Sequence, residues 1–157
     1  MLKSEFKIDL LNKIDYLEAG HRTDRVRFPK KLTNELASVI GAILADGHIR
    51  YRKVHGWTNR DTIHYELILR EEYESNVNAF TNWFNSQFGT NIIYHKRKNH
   101  HEFYVSNKVV VLFLDKILKL PVGRKCNIVK VPNYIFKSNK EIKISFLIPA
   151  HNEEKII

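Results

Sequence analysis

The residues best suited to chemistry lie in the segment 39–47, which ends in Asp46 followed by Gly47. The apolar residues before Asp46 recur at helical spacing, and we expect Gly47 to end this helix in the left-handed conformation. Asp46 would then lie in the last turn, where the negative end of the helix dipole disfavours a carboxylate. A cation or a substrate would compensate for that cost, although aspartate before glycine also ends many ordinary helices.

The same helix carries small residues at every fourth position, Ala37, Gly41 and Ala45. Residues at this spacing share one face of a helix, and their small size lets a second helix approach closely. Such stripes also occur in ordinary helix packing. The stripe therefore predicts a tight contact between helices.

Positive charge is unevenly distributed along the 157 residues, whose net charge is +9. The segments 22–60 and 94–130 each contain nine Lys or Arg residues, whereas 61–93 contains one. This distribution favours a polyanionic partner. Nucleic acid is favoured over an anionic membrane, because the sequence shows no separate amphipathic helix with a basic face and a large apolar face.

The amino-acid composition is that of a globular protein. Hydrophobic residues make up 43% of the sequence, which is typical of a globular domain, and no apolar segment is long enough to cross a membrane. Cys126 is the single cysteine of the sequence and cannot form an internal disulfide. No signal-peptide pattern opens the sequence, so we expect a cytoplasmic protein.

Hydrophobic periodicity predicts a mixed order of helices and strands. We expect a short helix within residues 1–20 and a second helix whose N-cap is Thr33. Two strands should follow, at 48–53 and 62–69, with alternate side chains on opposite faces.

The pattern then repeats. A long helix ended by Gly89 follows the second strand. Its predicted buried stripe is Tyr73, Val77, Phe80, Phe84 and Phe88. Two more strands, at 92–96 and 102–105, precede a helix that Ser106 would cap. After the N-terminal helix, the predicted order is α-β-β-α-β-β-α.

The segment 39–47 resembles the LAGLIDADG motif of homing endonucleases. Leu44 stands where the motif name has its first Asp, a position that many members fill with an apolar residue. The matching residues are Gly41, Ile43, Ala45, Asp46 and Gly47, and the conservative replacements are Val39, Ile40 and Ala42. The segments 120–125 and 131–135 resemble the "PxGxK…iPxwI" region of archaeal and bacterial members.

This resemblance implies an α+β fold of order αββαββα, in which a curved antiparallel four-stranded sheet forms a DNA-binding saddle. Residues 1–31 would form an N-terminal helix and a basic lead-in. Residues 32–145 would form the LAGLIDADG homing-endonuclease-like domain. Residues 146–157 would be a C-terminal tail at the place where two-motif members carry their second motif.

That second motif is not found in the sequence. Glu141 and Phe146 occur where two-motif members approach it, but Pro149 then falls inside the expected helix. Proline in a helix interior costs about 3 kcal/mol, and Asp46-Gly47 is the one Asp-Gly pair of the chain. The tail instead resembles the first strand and turn of nucleotide-sugar glycosyltransferases, although its twelve residues are too few for that domain.

The resemblance implies a site-specific double-stranded DNA endonuclease of the homing type, serving intron or intein mobility. Phosphodiester hydrolysis would use Mg²⁺ or another divalent cation, with Asp46 and Gly47 at the metal and Asp46 and Lys125 as catalytic residues. Because one motif supplies one aspartate, a homodimer through Ala37, Gly41 and Ala45 is implied. No membrane and no small-molecule cofactor would be involved.

Basic and polar residues of the strands and turns would contact the DNA. These candidates are Arg50, Arg52, Lys53, Arg60, His64, Glu66, Arg70, Lys96, Arg97, Lys98, Tyr104 and Arg124. Two alternatives remain open on the same fold. One is a non-cleaving DNA-binding protein or RNA-splicing helper, and the other is an inactive truncated remnant of a two-motif endonuclease.

Overall fold

The computed structural model describes residues 16–17, 26–57, 60–124 and 129–151. The helix predicted within residues 1–20 lies outside this part except at Tyr16–Leu17, and there the prediction is wrong. These two residues form strand β1, which pairs antiparallel with strand β2, Val26–Arg27. The strand depends on pairing with a later segment, and hydrophobic periodicity does not report such a contact.

Helix α1, Asn34–Ala45, forms as predicted around the motif segment. Thr33 is its N-cap, and the Thr33 hydroxyl oxygen accepts a hydrogen bond from the Leu36 N–H at 3.1 Å. Every residue from 36 to 44 is buried, so both faces of the helix are covered. α1 is therefore the central helix of the core.

The end of α1 differs from the prediction. Asp46 is the C-cap in a right-handed conformation, and Gly47 begins the next strand. Gly47 is not left-handed, since positive φ among the described glycines occurs at Gly89 and Gly123. Glycine is required at position 47 for space instead, because a Cβ there would lie 2.6 Å from the Cα of Ile43.

Four antiparallel strands form the main sheet, in the spatial order β3-β4-β6-β5. Their bounds are β3 Gly47–His55, β4 Asp61–Glu71, β5 His95–Lys96 and β6 His101–Ser106. β5 is shorter than the strand predicted at 92–96. The side-chain amide of Asn85 donates to the Ile92 carbonyl and accepts from the Ile92 N–H, which holds that backbone away from the sheet.

Helix α2, Glu74–Phe88, covers one face of the sheet. The rings of Phe80 and Phe84 each lie 4.9 Å, centroid to centroid, from the ring of Phe103 in β6. Tyr73 does not belong to this buried stripe and is 53% exposed. It precedes the helix in an extended conformation, so its side chain does not follow the helical repeat.

Helix α3, Lys108–Leu112, continues as a π-helical turn over Phe113–Ile117. Asn107 is its N-cap, whereas Ser106 was predicted. The Asn107 side-chain oxygen accepts hydrogen bonds from the next free backbone N–H groups, at 3.0 and 3.1 Å. Ser106 remains the last residue of β6, because its backbone still pairs with Glu66.

Two helices complete the described chain, α4 Asn133–Phe136 and α5 Lys140–His151. α5 packs against α1 so closely that a Cβ added to Gly41 would lie 2.1 Å from the carbonyl oxygen of Phe146. The small-residue face of α1 therefore contacts a helix of the same chain, where a second copy of α1 was predicted.

Pro149 lies inside α5 and is buried. It has no N–H to donate to the carbonyl of Ser145, four residues earlier. The Ser38 hydroxyl of α1 donates to that carbonyl instead, at 3.0 Å. This hydrogen bond offsets part of the cost of placing a proline inside the helix.

Candidate nucleic-acid interface

The main sheet has one face covered by helices and one outer face. Side chains alternate between the two faces along a strand, so every second residue of a strand lies on the same face. Residues paired across neighbouring strands also share a face. Ile49, Leu67 and Leu69 are buried on the helix-covered side. The register pairs Arg50 with Glu66 on the opposite side. We call that opposite side the outer face.

Six of the predicted DNA-binding residues share the outer face. The observed register confirms the alternation predicted for β4 and extends it to β3 and β6. The six are Arg50, Arg52, His64, Glu66, Arg70 and Tyr104. The fold therefore assembles half of the predicted residues on one surface.

Glu66 occupies the centre of this surface. Its side chain is fully buried, whereas those of Arg50 and Arg52 are 41% and 44% exposed. The Arg50 Nε donates to one carboxylate oxygen at 2.5 Å, and Arg52 donates to the other through Nε and a terminal nitrogen, at 3.0 and 2.7 Å. The Tyr104 hydroxyl donates to that second oxygen at 3.0 Å. Both arginines are therefore held in fixed orientations.

The electrostatics of Glu66 follow from these bonds. Burial alone would raise the pKa of Glu66, but the hydrogen bonds from Arg52, Arg50 and Tyr104 outweigh it and lower the pKa to about 2. Glu66 is thus ionised at neutral pH. With both oxygens engaged, Glu66 is placed to orient the arginines rather than to accept a hydrogen bond from a base.

At the other end of the outer face, a second carboxylate also accepts hydrogen bonds from two arginines. Glu102 accepts from the Arg70 Nε at 3.0 Å on one oxygen, and from Arg97 at 3.2 and 2.9 Å on the other. Burial opposes ionisation of Glu102, but Arg97 and Arg70 lower its pKa overall. Glu102 was not among the residues predicted from the sequence to contact DNA. Its alternation with Tyr104 along β6 was the signal that could have placed it on this face.

The other predicted DNA-binding residues lie around this surface. Lys53 and Lys96 are on the helix-covered side of the sheet by register, at exposed ends, and Lys53 pairs with Asp61. Arg60, Lys98 and Arg124 are exposed outside the strands. Arg124 follows Gly123, whose N–H donates to the Ile49 carbonyl of β3 at 2.8 Å.

The predicted catalytic residues are only partly described. Asp46 is partly buried and directly precedes β3, so it lies at one end of the sheet. Lys125 lies outside the described residues. Among the residues that the structure describes, no group of three or more His, Cys, Asp or Glu side chains could hold a metal ion. None of the described helices is long and apolar enough to cross a membrane.

Comparisons with known proteins address the fold. No protein-family model matches the sequence. The chain is 25% identical over 138 residues to an isomerizing glutamine–fructose-6-phosphate aminotransferase of Methanocaldococcus jannaschii. That match covers 85% of this chain and 11% of the aminotransferase, so the chain spans about a tenth of that protein.

Solved structures similar to this chain are LAGLIDADG homing endonucleases. Mesophilic variants of the homing endonuclease I-DmoI match with a TM-score of 0.51 and 17% identity, over 77% of this chain and 57% of theirs. I-DmoI in complex with DNA and Mn matches with a TM-score of 0.48 and 16% identity, over 76% and 61%. The endonuclease I-GzeII in complex with its DNA target matches at 0.42 and 12%, over 55% and 30%.

The chain spans little more than half the length of I-DmoI. At 17% identity, the similarity to I-DmoI shows the fold alone. The order αββαββα, the antiparallel four-stranded sheet and the buried motif helix together give this chain the LAGLIDADG homing-endonuclease fold.

Proposed function

We propose that this chain binds double-stranded DNA through the outer face of its sheet. The observation that carries the proposal is the array of four half-exposed arginines held by two carboxylates, Glu66 and Glu102. Four guanidinium and two carboxylate groups leave a net charge of +2 on this surface. Protein–DNA contacts rely on such donors for phosphates and for base edges.

The shape of the sheet supports the same partner. β3 and β4 pair over nine residues and form a long two-stranded ribbon. The major groove of B-form DNA is wide enough to admit a two-stranded ribbon. I-DmoI, which shares this fold, is a homing endonuclease.

We further propose metal-dependent cleavage of DNA at Asp46. Hydrolysis of a phosphodiester commonly uses divalent cations that activate a water molecule and stabilise the leaving oxygen. Mg²⁺ prefers carboxylate and water ligands, so the Asp46 carboxylate is the group that would hold it. One carboxylate is too few for a two-metal site, and a second acidic group is needed.

The packing of α1 bears on where that second group comes from. α5 occupies the small-residue face at Gly41, so a homodimer through this face would require α5 to leave it. We therefore favour a site completed within the chain over the homodimer. In the sequence, Glu153 and Glu154 are the first acidic residues after α5.

A second candidate function is DNA binding without cleavage. It is favoured because, among the described residues, no three acidic or imidazole side chains lie close enough together to hold a metal ion. The outer face is complete in either case. Binding and cleavage therefore need separate experiments.

Binding is tested by fluorescence anisotropy with a duplex of random sequence over a range of salt concentrations. We expect the logarithm of the binding constant to fall linearly with the logarithm of the salt concentration. Arg52→Ala should weaken binding and reduce its salt dependence, because one phosphate contact is lost. The matched control is Lys143→Ala, which removes the same charge from an exposed position of α5 and should leave affinity unchanged. Equal effects of the two variants would count against the outer face.

Cleavage is tested on a plasmid library of random inserts with Mg²⁺, and cut ends are sequenced. Asp46→Asn should abolish cutting while binding is retained. Glu153→Gln and Glu154→Gln identify the second carboxylate, with the exposed Glu141→Gln as control. Light scattering of the DNA complex distinguishes one chain per duplex from the homodimer. Specific binding without any cutting would support the binding function instead.

A further inference from the structure

We infer that Arg50 and Arg70 are specificity-determining residues that read guanine bases in the DNA major groove. The inference rests on the proposed DNA-binding function. It goes further by assigning these two side chains to one kind of base. The remaining basic residues would then contact phosphates.

The hydrogen-bond geometry separates these two arginines from the others on the outer face. Arg50 contacts Glu66, and Arg70 contacts Glu102, through Nε alone. Within the described chain, the terminal nitrogens of both arginines have no hydrogen-bond partner. Arg52 and Arg97 instead use Nε together with a terminal nitrogen. Arg50 and Arg70 therefore each present a complete pair of donors to solvent.

That pair of donors fits one base. Guanine offers two acceptors, O6 and N7, on its major-groove edge, and an arginine fork bonds both at once. The carboxylate behind each arginine fixes the direction of the fork before binding, which reduces the ordering cost. The side chains of Arg50 and Arg70 are 41% and 62% exposed, so both forks are accessible.

Phosphate could also accept from an arginine fork, but the local charges favour a base. Glu66 is fully buried and Glu102 is 13% exposed, and each lies within hydrogen-bond distance of the arginine it holds. Each carboxylate cancels one of the two guanidinium charges around it, which weakens the attraction for a phosphate, whereas a guanine edge is neutral and depends on the paired donors. Lys98, an exposed lysine beside the sheet, has no such neighbour within the described chain and is better suited to a phosphate.

The register sets the spacing of the two forks. Arg50 pairs with Glu66, and Arg70 lies four residues further along β4. At about 3.3 Å per residue, the two positions are about 13 Å apart along the strand. Base pairs stack about 3.4 Å apart along the DNA axis, so this distance spans about four steps. We therefore expect two guanine preferences about four base pairs apart.

The experiment is selection of bound duplexes from a randomised library, followed by affinity measurements on the recovered site. The wild-type chain should enrich guanine at two positions. Arg50→Lys keeps the charge but removes the fork, so it should relax one guanine position about tenfold. Arg70→Lys should relax the other. Lys98→Ala should weaken all sequences equally and reduce the salt dependence.

Replacing each selected guanine with 7-deazaguanine gives an independent readout, because it removes the N7 acceptor and leaves the rest of the base. The wild-type chain should bind the 7-deazaguanine site more weakly than the guanine site. The lysine variant that matches this position should bind both sites with the same affinity. Enrichment without guanine, or guanine enrichment that both lysine variants retain, would overturn the inference and leave DNA binding intact. A chain that binds no duplex at all would overturn the proposed function as well.

Discussion

The Ser38 hydroxyl donates a hydrogen bond to the carbonyl of Ser145, which is the carbonyl that Pro149 leaves without its helical donor. The bond joins α1 to α5 at the point where α5 would otherwise have an unpaired backbone group. A buried carbonyl without a partner costs about 1–3 kcal/mol. Ser38 is itself 6% exposed, so water does not readily replace it.

Ser38→Ala should therefore lower the free energy of unfolding by about 1–2 kcal/mol. In a Pro149→Ala background, residue 149 regains its N–H and can bond Ser145 within the helix. The cost of Ser38→Ala should then be smaller, and a double-mutant cycle measured by urea unfolding reports the difference. An equal cost in both backgrounds would mean that the hydroxyl does not substitute for the missing helical bond.

Gly41→Ala tests the same contact through space. The added Cβ would lie 2.1 Å from the Phe146 carbonyl oxygen, so α1 and α5 would have to separate. We expect a loss of about 2 kcal/mol or more in unfolding free energy, despite the better helix propensity of alanine. Gly123→Ala is the matched control, because a Cβ there meets nothing within 4 Å and only its positive φ opposes alanine. Stabilisation by Gly41→Ala would mean that α5 does not pack on this face.

The sequence patterns that predicted this fold correctly are local ones. Thr33 was identified as a cap by its type and position, and Gly89 as a helix end, because each depends on a few neighbouring residues. The alternation along β4 placed Glu66 and Arg70 on one face for the same reason. Local patterns therefore sufficed to predict the start of α1, the end of α2 and the face of β4 that carries Glu66 and Arg70.

The features that the sequence could not predict depend on contacts between distant segments. The orientation of Glu66 towards Arg50 and Arg52 requires the register of two strands. The carbonyl that Pro149 leaves without a helical donor accepts its hydrogen bond from a hydroxyl more than a hundred residues earlier. The small-residue face at Gly41 predicted a close helix and was assigned to a second copy, because the spacing alone does not show that a helix of the same chain lies there.

The aromatic core provides a third prediction. Phe84 is fully buried against Phe80, Phe88 and Phe103. Phe84→Leu, which is milder than alanine, should lower the free energy of unfolding by about 1–3 kcal/mol, because part of the ring's packing is lost. Tyr73→Leu should change it by less than about 0.5 kcal/mol, since Tyr73 is 53% exposed. Thermal unfolding of the two variants, side by side, checks the corrected boundary of the buried stripe.

Helix capping before α3 gives a fourth prediction. The Asn107 side chain accepts from the N–H groups of Val109 and Val110. Asn107→Ala should cost about 1 kcal/mol in unfolding free energy. Ser106→Ala should cost less than about 0.5 kcal/mol, because Ser106 is exposed and ends β6. The reverse order of the two effects in chemical denaturation would restore Ser106 as the cap.

The final prediction concerns the pH dependence of the Glu66 cluster. The pKa of Glu66 is lowered in the folded chain from 4.5 to about 2, so the ionised carboxylate stabilises the fold fully above about pH 4.5. This contribution is lost as the pH falls through 2. Glu66→Gln should lower the free energy of unfolding at pH 7 by about 1–3 kcal/mol, since Arg50 and Arg52 would lose their buried anion.

The difference between wild type and Glu66→Gln should shrink steadily as the pH falls below 4.5, and denaturant unfolding across pH 2 to 7 measures it. Glu141→Gln, an exposed position of α5, should show a change of less than about 0.5 kcal/mol throughout. If the difference did not depend on pH, the Gln variant would be acting through packing alone. Glu66 would then not hold the arginines of the outer face by its charge.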